Sequence, residues 1–199
     1  DYYSRIYRPL DIIYENSDVI FINKPSGMLS QKAKPEDVSL VEYLIAHLIH
    51  KGELNAGDLA SFKPGICNRL DRNTSGIVAA GKTTKGLQQL SEAFKLRTLG
   101  KYYLCIVKGS VDKRALIKGY LYKDNKTNKV TISRTETKDS LPIETEYIPV
   151  CSNGNVTLLK IHLLTGRSHQ IRAHLASIGH PLIGDYKYGQ KSVNDTFNR

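Results

Sequence analysis

The stretch Arg69-Leu70-Asp71-Arg72-Asn73-Thr74-Ser75-Gly76 constrains this chain more than any other, because it is set directly against the apolar Ile77-Val78-Ala79-Ala80. A buried strand cannot absorb two arginines, an aspartate and two hydroxyls, so the run is predicted to form a turn whose polar groups need partners. Asp71 stands between Arg69 and Arg72, which would keep a carboxylate ionised and aimed. Sequence neighbours do not share a face, so its true partner can lie elsewhere in the chain. On these residues alone, the commoner outcome for such an aspartate is a turn residue capping backbone N–H groups.

The rest of the chain supplies the frame for that turn. Its 199 residues suffice for one sizeable domain or two small ones without covalent staples. The three cysteines Cys67, Cys105 and Cys151 form no short pairing pattern and read as small buried hydrophobes of a reducing, cytoplasmic setting. No apolar run approaches bilayer length, and the start Asp1-Tyr-Tyr-Ser-Arg has no signal-peptide core, as expected of a fragment or processed product. Lys and Arg number 29 against 19 Asp and Glu, a formal charge of +10. That excess favours polyanionic partners, RNA or DNA before anionic membrane. With 12 Tyr and no Trp, any base stacking falls to tyrosine.

Periodicity predicts strands at 11–15 and 19–23 joined as a hairpin, then a tight loop at Lys24-Pro25-Ser26-Gly27. Lys24 is expected to be a solvated strand end. Ser39 and Glu42 fit a capping box for a helix to His50, with His47 and His50 partly exposed near its end. Residues 51–63 read as loop, 83–97 as a second helix whose Gly86 weakens its start, and 101–109 as a strand that turns Tyr102 and Tyr103 to opposite faces. From Val111 to Leu141, eight basic and four acidic residues suggest short strands on a basic, partly mobile excursion. Residues 142–150 and 156–163 form an antiparallel pair around Ser152-Asn153-Gly154-Asn155. A third helix is expected from Thr165, with Ile171, Leu175 and Ile178 buried, Gly179 as its stop and Arg172 sharing a face with Ser168 and His169. Three basic groups near a helix start call for an offsetting carboxylate, and Asp71 is one candidate for Arg172. The polar tail 190–199 is expected to fray.

Several chemistries find no support in the pattern. There is no Gly-x-x-x-x-Gly-Lys-Ser/Thr, Gly-x-Gly-x-x-Gly, Cys-x-x-Cys, His-Glu-x-x-His or Gly-x-Ser-x-Gly, which argues against ordinary nucleotide, zinc and hydrolase sites. A carbohydrate-active enzyme lacks a convincing second carboxylate.

Five ordered motifs then resemble the RluA-type family of RNA pseudouridine synthases. They are Asn23-Lys24-Pro25-Ser26-Gly27, Asn68 to Gly76, Lys101 to Gly109, Leu164 to Leu175 and Gly179 to Asp185. The resemblance implies an α+β fold with a central mixed, mostly antiparallel sheet and flanking helices, and uridine-to-pseudouridine isomerisation in RNA, foremost large-subunit (23S-type) ribosomal RNA. It makes Asp71 the catalytic aspartate, Tyr103 the tyrosine against the target base and Arg172 the partner of the aspartate. Arg69 would fill the space of a flipped nucleotide, with Arg72, Lys101, Arg167 and His169 as further RNA contacts. No cofactor, metal, membrane or obligate protein partner is implied. Asn68 stands where the family usually has His, which leaves the aspartate in place but changes its supporting hydrogen bonds. The resemblance further implies one catalytic domain over 1–199, cut short at the C-terminus and separated from an N-terminal S4-type RNA-binding domain. The alternative from another class is a non-catalytic RNA-binding or ribosome-assembly module on the same scaffold.

Overall fold

The computed structural model describes residues 2–197, and the chain divides into two compact units, 1–99 and 100–199. In the first unit a short helix α1 (Tyr2–Ile6) precedes the hairpin β1 (Ile12–Glu15) and β2 (Val19–Lys24), then α2 (Leu40–His50), β3 (Gly65–Ile66), β4 (Gly76–Gly81) and α3 (Thr84–Lys95). The strands pair antiparallel in the order β1-β2-β4-β3. The buried apolar residues of this unit include Ile20 and Ile22 of β2, Val78 and Ala80 of β4, and Leu40, Leu44, Ile45 and Leu48 of α2, all at most 2% exposed.

The ends of α2 and α3 follow from local chemistry. The Glu42 carboxylate accepts both the Ser39 N–H (3.0 Å) and the Ser39 hydroxyl (2.6 Å), fixing the first turn of α2. At α3 the Thr83 hydroxyl accepts the Gly86 N–H (3.1 Å). Gly86, unfavourable by propensity, is required by packing: a Cβ there would lie 1.9 Å from the Asp18 carbonyl oxygen. His47 departs from the sequence expectation. It is buried rather than partly exposed, with neither ring nitrogen hydrogen-bonded, and burial holds its pKa below the ordinary value despite nearby Glu15 and Glu53. His50 is exposed and stacks on Tyr7, ring centroids 3.9 Å apart. Residues 51–63 are not all loop, since Ala56–Ala60 make a 3-10 turn.

The second unit is a five-stranded antiparallel sheet of β5 (Tyr102–Lys108), β6 (Ala115–Asp124), β7 (Lys129–Ser133), β8 (Leu141–Ser152) and β9 (Val156–Leu163) in the order β5-β9-β8-β6-β7. It carries helices α4 (Gln170–Ser177) and α5 (Lys191–Phe197). Antiparallel sheets with flanking helices are the architecture the motifs imply. One core cluster joins Val107, Val111, Leu159, Ile161 and Leu175; a second joins Leu121, Val130, Ile143 and Ala173. The short strands expected within 111–141 are present as β6 and β7, and the second cluster anchors them. Leu121 and Val130 are 3% exposed, so apolar residues spaced through that lysine-rich stretch decide its structure and its charges ride on the outer face. Cys151 is exposed rather than buried, and burial pushes the Cys105 thiol up to about 12.

Two further differences concern the last third. The buried stripe of α4 is Gln170, Ala173, His174 and Leu175, whereas Ile178, 38% exposed, lies just beyond the helix. The tail through residue 197 does not fray. Asn194 of α5, 1% exposed, accepts the Gly184 N–H (2.8 Å) and donates to the Asp185 carbonyl (3.0 Å). Asn198 and Arg199 fall outside the described residues.

A buried relay ties α4 to β8. Gln170 Nε2 donates to Thr145 Oγ1 (3.0 Å), which lies 2.9 Å from His174 Nδ1. The ring also donates a hydrogen bond to the Lys118 backbone, so the neutral ring carries its hydrogen on Nε2 and accepts the Thr145 proton at Nδ1. Burial pulls the His174 pKa down to about 4, against a hydrogen bond to the Lys118 backbone that favours protonation. A depressed histidine pKa means the unfolded chain binds the proton first as pH falls. Folding stability should therefore be intact above about pH 6.5 and decline by up to about 3 kcal/mol on the way down to about pH 4. Urea unfolding across that window tests this, and His174→Gln should flatten the decline.

Candidate functional site

In the first unit the turn bearing Asp71 is held by the loop that follows β2. Strand alternation places Lys24 on the same face as Ile20 and Ile22, and its side chain is wholly buried. Its Nζ donates to the carbonyls of Pro25 (3.0 Å), Met28 (2.8 Å) and Arg72 (3.1 Å). Three acceptors match the three N–H groups of an ammonium, so the cost of burying the charge is met by direct bonds. Burial lowers the Lys24 pKa, while the charge of Asp71 works the other way. Lys24 is thus a buried bracket rather than a solvated strand end.

Three more contacts complete the attachment. The Gly27 N–H donates to the Arg72 carbonyl (2.8 Å) from a left-handed conformation at φ 89° that suits glycine. The Ser26 hydroxyl donates to the Asn73 carbonyl (2.9 Å). Buried Ser30 exchanges hydrogen bonds with Leu70, its hydroxyl donating to the carbonyl (2.7 Å) and accepting the N–H (3.0 Å). Within the turn, the Thr74 N–H donates to the Asp71 carbonyl (3.0 Å). Asn68 contributes as a piece of sheet: its Oδ1 accepts the Ala79 N–H (2.8 Å) and its Nδ2 donates to the Ile77 carbonyl (3.2 Å). The residue that departs from the family pattern therefore fastens the approach to Asp71 onto β4.

Asp71 is half-buried, while Arg69 and Arg72 are exposed. Arg69 Nη1 reaches Gln31 Oε1 at 3.5 Å. Arg72 lines a cavity of about 310 Å³ with Arg8, Gly27, Asp37 and Tyr43. The Arg8 guanidinium lies over the Tyr43 ring, 5.0 Å from its centroid, a contact worth about 0.5–1 kcal/mol at an exposed site.

In the second unit β5 turns Tyr102 outward, 55% exposed, to stack on His162 with centroids 4.6 Å apart. Tyr103 faces inward and packs on the core with Cys105. A Cβ at Gly166 would lie 2.6 Å from Lys101 Nζ, so Lys101 is brought against the loop of exposed Arg167. Helix α4 begins at His169, itself left-handed at φ 53°. Its ring approaches Tyr188, with Nδ1 2.7 Å from the hydroxyl. Within this unit Arg172 meets Asp185 through Nε (2.6 Å) and Nη2 (3.1 Å), and its guanidinium lies 5.0 Å from the Tyr188 ring centroid. The loop after α4 thus supplies one carboxylate that offsets its basic start. Burial raises the Asp185 pKa, but Arg172 and the N–H groups of Tyr188 and Lys187 outweigh it and hold the carboxyl below its usual value.

Sequence reasoning passed over Ser30, Asp185 and Tyr188 and misjudged Lys24. The period-two alternation of β2 was the available signal for Lys24. Asp185 carries a weaker one, an Asp two and three residues before the N–H groups it accepts (2.9 and 3.1 Å). Among the described residues no three His, Cys, Asp or Glu side chains converge as metal ligands, and no helix is long and apolar enough to cross a membrane.

A family model described as RNA pseudouridylate synthase matches residues 18–177. The chain is 35% identical over 185 residues to ribosomal large subunit pseudouridine synthase D of Borreliella burgdorferi, covering 92% of this chain and 55% of that protein. It is 32% identical over 186 residues to the protein of the same name from Zymomonas mobilis, covering 92% and 56%. The chain therefore spans little more than half the length of these relatives. Its fold is similar to that of human RNA pseudouridylate synthase domain containing 1, with a TM-score of 0.74 and 22% identity over 94% of this chain and 73% of the other.

The bracket makes a stability prediction. Lys24→Met fills the same space but leaves three carbonyls without their donor, which should cost about 3 kcal/mol or more. Chemical denaturation would show it as a lower midpoint for the first unit; an unchanged midpoint would show that the ammonium is not what holds the turn.

Proposed function

We propose, since the chain belongs to the RNA pseudouridylate synthase family, that it isomerises uridine to pseudouridine in RNA. The observation that supports this most directly is the turn of Asp71, a half-buried carboxylate on a loop fixed by Lys24, Ser26, Gly27 and Ser30. Rigid attachment of one carboxylate is what a reaction at a single ribose carbon demands.

The reaction breaks the bond between N1 of uracil and C1' of ribose, turns the base and joins C5 to C1'. The hydrogen on C5 is lost and N1 gains one, so substrate and product are isomers and no oxidant or external group enters. In this reading Asp71 acts at the sugar and base, either as nucleophile or as a proton-handling and electrostatic group. Tyr103 packs its ring on the base with its hydroxyl toward the departing C5 proton. Arg172 is the ion-pair partner that aims the carboxylate of Asp71. Extruding the uridine costs a few kcal/mol, offset by stacking, by Arg69 entering the vacated space and by phosphate contacts from Arg72, Lys101, Arg167 and His169. The two named relatives are large-subunit ribosomal enzymes by name. We extend that substrate to this chain as 23S-type ribosomal RNA in the cytoplasm, with residues 1–199 as a pseudouridine synthase catalytic domain.

Asp71→Asn should abolish pseudouridine formation on uridine-containing ribosomal RNA fragments while leaving RNA affinity within about twofold. Product from the folded variant at a substantial rate would remove Asp71 as the essential group, and a wild-type protein that binds RNA without product would leave the non-catalytic module. Replacing Arg72 and Arg167 by Gln should reduce the slope of log affinity against log salt by about 0.7–0.9 for each phosphate no longer neutralised. An unchanged slope would move the RNA path elsewhere.

A further inference from the structure

The loop Gly184-Asp185-Tyr186-Lys187-Tyr188-Gly189 has a role that the reaction chemistry alone does not assign. Asp185 is 9% exposed and its carboxylate is fully engaged. Oδ1 accepts the N–H groups of Lys187 (2.9 Å) and Tyr188 (3.1 Å) and Nη2 of Arg172 (3.1 Å), and Oδ2 accepts Nε of Arg172 (2.6 Å). Its own backbone is tethered as well, because its carbonyl accepts the Gly189 N–H (2.9 Å) and Asn194 Nδ2 (3.0 Å). The acceptor is therefore rigid before Arg172 meets it.

What Asp185 does to Arg172 follows from the shape of a guanidinium. Two of its five N–H groups, on the Nε side, are bound to one carboxylate, which fixes both the plane and the direction of the group. The Tyr188 ring beneath it limits rotation out of that plane. Tyr188 is anchored in turn: its hydroxyl oxygen accepts the Val130 N–H (3.0 Å) and lies 2.7 Å from Nδ1 of His169. The donors of Arg172 not used by Asp185 are consequently aimed by a scaffold rather than by the substrate.

We infer that Asp185 is a positioning residue, which holds Arg172 at the orientation needed to pair with the catalytic carboxylate, with Tyr188 as the rest on which the guanidinium lies. This rests on the reading of Asp71 and Arg172 given above. Its advantage is preorganisation: a free arginine side chain has many rotamers to lose, and one already held loses few when the reacting groups assemble.

The test uses the full-length protein and a uridine-containing ribosomal RNA fragment. Asp185→Asn keeps an acceptor for the Lys187 and Tyr188 N–H groups but removes the charge that grips Arg172. The single-turnover rate at saturating RNA should fall by about 10- to 100-fold, the size expected of a misplacement near 1 Å, while RNA affinity stays within twofold. Asp185→Glu, which restores the charge, should recover part of the rate. A wild-type rate for Asp185→Asn beside a slow Arg172→Gln overturns the inference and leaves the role of Arg172 standing. Wild-type rates for both variants overturn the Arg172 reading and the inference together. Should Asp185→Asn not fold, the wild-type protein still decides by NMR. A slowly exchanging Nε–H resonance for Arg172 at neutral pH supports the grip, and its absence overturns it.

Discussion

The ammonium of Lys24 is the interaction that ties the turn of Asp71 to the loop after β2. It sits at the end of β2 with no exposure to solvent and binds three carbonyls, two from its own loop and one from Arg72. A single charge in that position does what an extra strand could not, because it gathers carbonyls arriving from different directions. Burying it would be costly if any of its hydrogens lacked an acceptor. With all three satisfied, the β2 loop and the Asp71 turn become one piece, and the serine and glycine contacts around it set the register of that piece rather than its existence.

The second unit solves a related problem with the opposite sign. Here the buried anchor is a carboxylate, and the group to be held is a long cation. Asp185 draws its own stability from two backbone N–H groups, which leaves the geometry of Arg172 determined by backbone rather than by other mobile side chains. In both units, then, a charged side chain is oriented by main-chain groups. Main-chain groups are the most rigid partners a protein has, and both bonds are charge-assisted and stronger than neutral ones.

Much of this architecture was legible in the sequence because periodicity reports faces. The antiparallel pairing of β8 with β9 and the capped start of α2 at Ser39 and Glu42 emerge as read. The turn at Asp71 was legible because so polar a run cannot lie within a sheet. The failures share a cause. Lys24, His47 and Asn194 are polar residues in the interior, and residue type argued for solvent where position argued for core. For Lys24 the alternation with Ile20 and Ile22 was the better guide. In 111–141 the expected short strands emerge as β6 and β7, while the charge count gave no sign that Leu121 and Val130 would be buried. Nothing local in the sequence pairs Arg172 with Asp185, thirteen residues away across a helix end, because that bond exists only once α4 and the following loop are folded back together.

The loop of Asp185 also settles the fate of β7, the outermost strand on its side of the five-stranded sheet. An outermost strand normally offers unpaired N–H and C=O groups to any passing chain. Here the Val130 N–H is taken by the Tyr188 hydroxyl and the Asn128 carbonyl by the Lys187 ammonium. The segment that meets Arg172 therefore also covers the start of this edge, leaving fewer open main-chain groups there for another strand to pair with.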